Sequence, residues 1–386
     1  MPLRGELRAG RRPSLARVAV FSCLTLLIAA TAAASDSRPR PKPSVDELKA
    51  LLLNAAQTER ARLRAADLLG ALDDPRAEAA LIEALSDTKE PVRFGAARAL
   101  GRSGRAAAVQ PLLKLLGSPD EPRRVRGAAA LSLGDIGDAR AVTALVATRR
   151  DAAAEMRVAA RQALLRLPPA TVPLSRVDLL SEILTDREGP EPARAEAARM
   201  LGESRDPRSI PLLVGVLGTP GPPDRPVATF TDFVQARAEA KNSLPASAAR
   251  ALGELGAKEA VPALIQAARK PESEVRIAAL EALARLRAPE AIPVAVDALV
   301  DREPRARRWA TFLLSELEAR DVLAQLRSVL ADSDDGVRLH ATRALVRMND
   351  VAAVDQLVEA LSREQVPHVR SALQDALAAL APVAPW

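Results

Sequence analysis

The stretch VRFGAARALG, from Val92 to Gly101, sets the pattern for most of this chain. Versions of it begin at residues 61, 92, 125, 156, 193, 244, 275, 306, 337 and 369. When the first residue is counted as position 0, position 8 is leucine in all ten copies and position 4 is alanine in nine. Position 0 is always apolar. Because positions 0, 4 and 8 share one face of a helix, each copy predicts an amphipathic helix with a narrow apolar stripe.

The spacing of the copies predicts how these helices are arranged. Their starts are almost evenly spaced, with wider gaps only before the copies that begin at 193 and 244. Each copy but the last is followed by a second helix with apolar periodicity. Since one copy cannot bury its own stripe, a repeat of this length indicates helix pairs that pack on their neighbours. We predict an all-α fold, an α-solenoid of about ten antiparallel helix pairs.

Charged residues recur with the same period. Position 1 is arginine in nine of the ten copies, and in six copies an acid stands six residues before position 1. A cation in the first turn of a helix opposes the helix macrodipole, so its recurrence requires a partner. We predict a structural ladder of arginine–carboxylate bonds through the stack, bidentate where the geometry allows; the alternative is a basic stripe for an anionic ligand. The ladder pairs read from the sequence are Asp87 with Arg93, Asp120 with Arg126, Asp151 with Arg157, Asp301 with Arg307, Asp332 with Arg338 and Glu364 with Arg370.

These features together resemble a known family. An apolar helix with proline near its start, an acid six residues before an arginine, and a second helix reading VRxxAAxALG are similar to the HEAT repeat. The short period and the turn from Leu133 to Asp138 resemble the subtype named after phycobilisome lyases. The resemblance covers residues 44–381 and implies the fold, while a fold of this kind hosts many functions.

Composition argues against a nucleic-acid partner. Aromatic residues make up 2% of the chain and tyrosine is absent, so few stacking platforms exist. The formal net charge is +6, but residues 1–34 contribute +4 and residues 35–42 contribute +2. The solenoid itself is therefore about neutral, whereas a nucleic-acid reader carries a basic surface.

The first 43 residues predict export from the cytoplasm. Residues 1–34 join an arginine-rich start to an uncharged apolar run, which is typical of a signal peptide; the alternative is an uncleaved membrane anchor at residues 18–34. Residues 35–43 form a proline-rich linker, and the capping box Ser44–Glu47 begins a solenoid over residues 44–386. We predict an exported protein, periplasmic or secreted, that meets a membrane only through an uncleaved N-terminal segment.

Two departures from the repeat are candidate partner-binding sites. An inserted loop at residues 218–241 contains Phe230 and Phe233, which either anchor a partner or tuck the insert against the solenoid. The eighth copy carries Arg305, Arg308 and Trp309, and His340 has the same position in the next copy as Trp309. Neighbouring layers bring Trp309 and His340 within about one interaxial spacing of ~8–10 Å. An aromatic side chain beside arginines is typical of an interface hot spot, and packing at the edge of the stripe is the alternative.

The sequence shows no set of residues that is typical of a catalytic or metal site. Deoxyhypusine hydroxylase is also built of HEAT-like repeats, and repeated His-Glu pairs hold its iron, but neither His340 nor His368 adjoins an acid. We therefore predict no catalytic, metal or cofactor-binding residue and no cofactor. The leading hypothesis is a non-enzymatic scaffold that binds protein partners outside the cytoplasm. The alternative is an enzyme or enzyme subunit of the bilin-lyase or deoxyhypusine-hydroxylase-like class.

Overall fold

The structure, a computed structural model, describes residues 43–221 and 230–380, without the side chains of residues 230–234 and 237. Over these ranges the chain forms 21 α-helices and no strand. Twenty of the helices form ten antiparallel pairs stacked in chain order. The predicted α-solenoid is therefore confirmed.

The first helix of each pair is called an A helix. The A helices are α1 (Val45–Leu53), α3 (Pro75–Ala84), α5 (Val109–Gly117), α7 (Val142–Thr148), α9 (Arg176–Thr185), α11 (Ile210–Leu217), α14 (Val261–Ala267), α16 (Ile292–Ala298), α18 (Leu323–Ser328) and α20 (Val354–Arg363).

The second helix of each pair, the B helix, carries the ten-residue copy. The B helices are α2 (Glu59–Leu69), α4 (Glu90–Ser103), α6 (Arg123–Ile136), α8 (Ala154–Arg166), α10 (Glu191–Ser204), α13 (Leu244–Leu255), α15 (Ser273–Leu286), α17 (Pro304–Glu316), α19 (Asp335–Arg347) and α21 (Pro367–Leu380). One further helix, α12 (Phe230–Lys241), lies in the insert between α11 and α13.

Local sequence signals explain where the first helix begins. The Ser44 hydroxyl accepts a hydrogen bond from the Glu47 N–H at 3.2 Å, and the Ser44 N–H donates to the Glu47 carboxylate at 2.8 Å. This is the predicted capping box, and it satisfies two N–H groups that the helix itself leaves unpaired.

The core follows the apolar stripe that the repeat predicts. In α4 the three stripe residues Val92, Ala96 and Leu100 have no solvent exposure, and Leu112 of the neighbouring A helix is equally buried. Each stripe is covered by its own A helix on one side and by the next pair on the other. Burial therefore propagates along the stack.

Successive B helices pack more closely than successive A helices do. Glycine at position 9 permits this approach, because a Cβ added at Gly101 would lie 2.7–2.9 Å from atoms of Ser132 in the next B helix. A Cβ at Gly134 would meet Ala163 at 2.6–2.9 Å in the same way. Because the B layer is the more tightly spaced, we expect the stack to curve toward it. The surface of the B helices turned away from the A helices is called the inner face.

The apolar core divides at α9. Leu179 belongs to a cluster that begins at Leu48, and Leu180 belongs to a second cluster that extends to Leu380. At this step the B helices α8 and α10 make few direct contacts, unlike their neighbours. Within the described residues no helix combines the length and the hydropathy needed to span a membrane. The predicted signal peptide and most of the linker lie outside those residues.

Candidate functional site

The ladder arginines reach forward into the next pair. Nε and Nη2 of Arg307 donate to the two carboxylate oxygens of Asp332, each at 2.7 Å. Arg276 forms the same bidentate contact with Asp301 at 2.7 and 2.9 Å. The partner lies 25 to 29 residues further along the chain in each rung. The other rungs are Arg62 with Asp87, Arg93 with Glu121, Arg126 with Asp151, Arg157 with Asp186 and Arg338 with Glu364.

The predicted pairing of each arginine with the carboxylate six residues before it is wrong. The arginine instead donates to main-chain oxygens near that acid, as Nη1 of Arg307 does to Asp301 at 2.9 Å. Meanwhile the Asp301 carboxylate accepts from the Glu303 N–H at 2.8 Å, next to the start of α17. Nη1 of the guanidinium thus binds main-chain carbonyls after the A helix of its own pair. Nε and Nη2 bind the carboxylate of the next pair. This correction applies to the pairs Asp87–Arg93, Asp120–Arg126, Asp151–Arg157, Asp301–Arg307, Asp332–Arg338 and Glu364–Arg370.

Two members of the predicted ladder have other surroundings. Asp120 is exposed, and its neighbour Glu121 accepts from Nε of Arg93 at 2.8 Å instead. Arg370 lies in the last described pair and donates to the main-chain oxygens of Leu361 and Glu364. Where rungs are complete, they perturb the acid: Arg338 lowers the pKa of Glu364, and Arg157 lowers the pKa of Asp186.

In the rung beside the insert, a cation occupies the position of the acid and the arginine is absent. Pro245 stands where the arginine of the sixth copy is expected, and Lys270 stands where the acid of that rung is expected. The Lys270 ammonium reaches back and donates to the main-chain oxygens of Leu217 and Thr219 at 2.7 and 2.8 Å. Leu217 is the last residue of α11 and Thr219 lies two residues beyond it, so Lys270 caps this A helix from the following pair. A cation thus still crosses the layer boundary.

A buried ionic network fills the step between the fourth and fifth pairs. Arg161 of α8 is 8% exposed and donates to Asp186 at 2.7 Å and to Glu182 at 3.1 Å. Arg157 binds the same Asp186, and Arg149 binds Glu182 at 2.5 Å. Arg161 occupies position 5, which is alanine in five other copies. Its long side chain prevents the close approach that alanine allows, and the division of the core lies at this step.

The aromatic residues of the eighth and ninth copies form one group on the inner face. The rings of Trp309 and Phe312 meet edge to face with centroids 5.6 Å apart, and Phe312 meets His340 in the same way at 5.9 Å. Phe312 thus lies between the two residues that sequence reasoning singled out, and it was missed. All three side chains are partly buried. Burial lowers the pKa of His340, so the ring is neutral near pH 7.

The two arginines beside this group are already paired. Nε and Nη2 of Arg308 donate to the Asp334 carboxylate at 2.5 and 2.6 Å, and Arg305 donates to Glu274 at 2.5 Å. Arg308 consequently lowers the pKa of Asp334. The structure therefore places the predicted hot spot together, but the charges of its arginines are balanced from within the chain.

A second aromatic residue of the inner face, Phe94, was missed by sequence reasoning. The guanidinium carbons of Arg124 and Arg98 lie 4.3 and 5.7 Å from the centroid of its ring. The ring borders a cleft of about 680 Å³ that spans the second to fourth pairs. The signal was present as Phe94, Arg98 and Arg102, spaced four residues apart on one helix face.

The described part of the predicted inserted loop contains a helix. Residues 230–241 form α12, whose backbone lies beside α13 and α15. A Cβ added at Gly221, near the start of the insert, would approach the Val275 side chain to 3.1 Å and the Pro245 ring to 3.5 Å. The side chains of Phe230 and Phe233 lie outside the described residues, so their role stays a prediction.

Metal-ligating residues do not gather anywhere in the described ranges: no group of three or more His, Cys, Asp or Glu side chains there could hold an ion. His340 is part of the aromatic group, and Nε2 of His368 lies 3.4 Å from an Asp335 oxygen. The histidines thus take part in contacts between the last pairs.

The fold, its period and its arginine rungs define a class of helical-repeat solenoid. Family models for HEAT repeats match residues 45–124, 104–165, 232–315 and 292–378, and a model of the PBS lyase HEAT-like repeat matches residues 193–219. The matches span more than half of the chain, which therefore belongs to the HEAT-repeat family.

Curated relatives match only parts of the chain. The phycocyanobilin lyase subunit alpha of Picosynechococcus sp. is 46% identical over 83 residues, 20% of this chain and 30% of that protein. Deoxyhypusine hydroxylase of Schizosaccharomyces pombe is 36% identical over 106 residues, 26% of this chain and 33% of that protein. The chain thus matches about a third of the length of these relatives.

Solved structures with the same architecture include nuclear transport receptors. Importin beta superposes with a TM-score of 0.58 at 13% identity, covering 86% of this chain and 50% of importin beta. Kap121p gives a TM-score of 0.53 at 16% identity, covering 87% of this chain and 41% of that protein. At such identities the likeness shows the helical solenoid fold and nothing about cargo.

Proposed function

We propose that this chain is a non-enzymatic HEAT-repeat scaffold that binds a protein partner on its inner face, outside the cytoplasm. The observation that carries the proposal is the aromatic group of Trp309, Phe312 and His340. It is partly exposed on a regular helical surface, and the neighbouring Arg305 and Arg308 are each paired with a carboxylate.

Such a group suits a protein contact. Aromatic side chains supply large contact area at small cost in conformational entropy, and they are enriched in interface cores. Because Asp334 and Glu274 hold Arg308 and Arg305, a partner that covers the ring edges does not have to desolvate either of these arginines unpaired. HEAT-repeat solenoids typically mediate contacts between proteins, which agrees with this assignment.

The location outside the cytoplasm rests on the sequence of residues 1–34. Their basic start, apolar run and alanine-rich end favour secretion with cleavage before Ser35. Cell fractionation and N-terminal sequencing of the mature chain test this. A chain recovered whole in the cytoplasm would refute the location without touching the scaffold assignment.

Site-specific photo-crosslinking tests the scaffold assignment. A photoreactive amino acid at position 309 of the full chain is expected to capture a discrete protein in cells, and Phe312→Ala is expected to weaken that capture. Val358 is the matched control, because it is 53% exposed but lies on the A helix α20. Equal capture from positions 309 and 358, or no capture from position 309, would contradict the proposal.

A second candidate function follows from the curated relatives, a lyase subunit and a hydroxylase. Under this alternative the chain is an enzyme or enzyme subunit, with part of its length resembling theirs. Purification of the full chain from its native cell, followed by metal analysis and absorption spectroscopy, separates the two. Stoichiometric iron or a bound chromophore would favour the enzyme and overturn the non-enzymatic assignment.

A further inference from the structure

The cleft beside Phe94 combines an apolar floor with an excess of positively charged side chains. Its apolar floor consists of small residues and one leucine: Gly127, Ala128, Leu131 and Ala159. Gly127 holds position 2, the position of Phe94 in the previous copy, and a Cβ added there would meet only Ala159, at 4.0 Å. The missing side chain leaves the space beside the Phe94 ring open.

Five arginines line this cleft against two carboxylates. Arg102 and Arg166 are paired, with Asp67 at 2.5 Å and with Asp135 at 2.9 Å. Arg98, Arg123 and Arg124 have no carboxylate within salt-bridge distance in the part of the chain that the structure describes, and all three are exposed. The cleft therefore presents three unpaired arginines against one unpaired carboxylate, Glu155, in contrast to the paired Arg305 and Arg308.

Phe94 positions two of these charges. Arg124 and Arg98 both lie against the same aromatic ring, whose negative face attracts each guanidinium. Stacking restricts the side chains but leaves their N–H groups free, and a guanidinium edge suits bidentate binding of a carboxylate. Two like charges held on one ring also repel each other, so an anionic ligand between them relieves that repulsion.

We propose that this cleft binds an acidic segment of a protein partner, with an apolar side chain of the segment on the small-residue floor. The proposal rests on the scaffold function proposed above and adds the chemistry of the partner. Carboxylates of the segment contact Arg98, Arg123 and Arg124. The excess charge and the shape of the cleft are complementary to a short acidic peptide.

The surroundings favour a peptide over a nucleic acid. Glu155 lines the cleft and interrupts the positive surface that a continuous phosphate backbone would have to follow, whereas a peptide can place an uncharged residue beside it. A nucleic acid also needs basic side chains over many phosphates, whereas the unpaired arginines are confined to α4 and the start of α6. Acidic side chains alternating with apolar ones require only this short stretch.

Fluorescence anisotropy with the purified full chain tests the proposal. The probe is a short fluorescein-labelled peptide with Asp and Glu on both sides of a central Leu, and its Asn/Gln analogue is the neutral control. We expect the acidic probe to bind, the neutral probe to bind about tenfold or more weakly, and added salt to weaken the acidic complex. Arg98→Glu/Arg124→Glu is expected to weaken binding of the acidic probe by about a hundredfold, about tenfold for each reversed charge.

Matched variants exclude trivial explanations. Arg150→Glu/Arg320→Glu makes the same change of net charge at exposed arginines outside the cleft and is expected to leave the dissociation constant unchanged. Phe94→Leu keeps apolar volume but removes the ring face, and we expect binding about threefold weaker. Thermal unfolding followed by circular dichroism checks that each variant is folded.

Three results would overturn the proposal. These are equal binding of the two peptides, unchanged binding after charge reversal in the cleft, and equal loss in the Arg150/Arg320 control. A single-stranded oligonucleotide that binds more tightly than the acidic peptide, and is lost in the same cleft variant, would assign the site to nucleic acid instead. If the peptide fails while crosslinking from position 309 persists, the scaffold assignment stands and only this site is refuted.

Discussion

Replacing Arg307 with methionine tests whether the arginine rungs hold adjacent pairs together. Arg307 binds both oxygens of Asp332 and also donates to the main-chain oxygens of Asp301 and Arg302. Methionine keeps the apolar stem but removes every one of these donors. The variant therefore breaks the contact between the eighth and ninth pairs without opening a large cavity.

The expected loss follows from the burial of the rung. The side chains of Arg307 and Asp332 are 11% and 9% exposed, so the value of about 0–1 kcal/mol for surface ion pairs does not apply. Leaving the Asp332 carboxylate without its partner costs about 3 kcal/mol, toward the lower end for buried pairs because some solvent access remains. The two carbonyls add about 1 kcal/mol in total, since water reaches part of the turn. We expect a loss of about 4 kcal/mol in local stability.

A double-mutant cycle isolates the rung itself. Arg307→Met, Asp332→Leu and the double variant are compared by urea unfolding and by hydrogen exchange in α17 and α19, because repeat arrays open locally. The expected coupling energy is about 2 kcal/mol. Arg363→Met, which removes an exposed pair with Glu359 at 2.6 Å, is the control and should cost less than about 0.5 kcal/mol. A coupling energy below about 0.5 kcal/mol would refute the structural role of the ladder.

Three further variants address other contacts. Gly101→Ala places a Cβ against the next B helix and should cost about 1–3 kcal/mol in thermal unfolding, whereas Gly117→Ala, with open space around it, should cost far less. Lys270→Met removes the ammonium that donates both hydrogen bonds to the main chain around the end of α11, and it should speed hydrogen exchange there at a cost of about 1–2 kcal/mol; unchanged exchange would contradict the capping role of Lys270. Burial lowers the pKa of His340 from 6.5, so the unfolded chain gains a proton below that pH before the folded chain does. Stability should thus be full above pH 6.5 and fall on acidification, a fall that His340→Phe removes and His368→Gln keeps.

The architecture was predictable because its cause is local and repeated. The ten-residue copies carry an apolar residue at every fourth position and recur at nearly constant spacing. A stack of helix pairs is therefore the arrangement that buries every apolar stripe. Glycine at position 9 was visible in the same copies, but the close approach of successive B helices that it permits became clear only from the structure. Gly101 matters because Ser132 lies directly opposite, and that neighbour belongs to the next repeat.

The register of the ladder was not predictable, and the period itself explains why. Because the copies are evenly spaced, an acid at a fixed distance before one arginine is also at a fixed distance after the previous arginine. Asp332 thus precedes Arg338 by the same interval as Asp301 precedes Arg307, and it follows Arg307 as Asp301 follows Arg276. From the sequence alone, Arg307 and Arg338 are equally suitable partners for Asp332. Only the geometry shows that the carboxylate binds Arg307 while the main-chain oxygen binds Arg338.

The candidate sites were harder to predict because they depend on single departures from the pattern. Trp309 and His340 were found because they are rare residues at equivalent positions, but Phe312, which joins them, was not. Phe94 becomes a site only because Arg124 of the next copy folds onto its ring. The spacing of Phe94 and Arg98 was visible on one helix, but the approach of Arg124 from the next copy to the same ring was not.

The ionic step at Arg161 has a mechanical consequence. Elsewhere the apolar core consists of closely packed alanine and leucine side chains, which resist relative movement of the helices. Here a cluster of charged side chains separates the two parts of the core. Bending of the whole molecule is expected to concentrate at this step, because charged side chains replace the close apolar packing found elsewhere. The Phe94 cleft and the Trp309 group lie on opposite sides of this step. Bending at the step would therefore change the distance between the two sites.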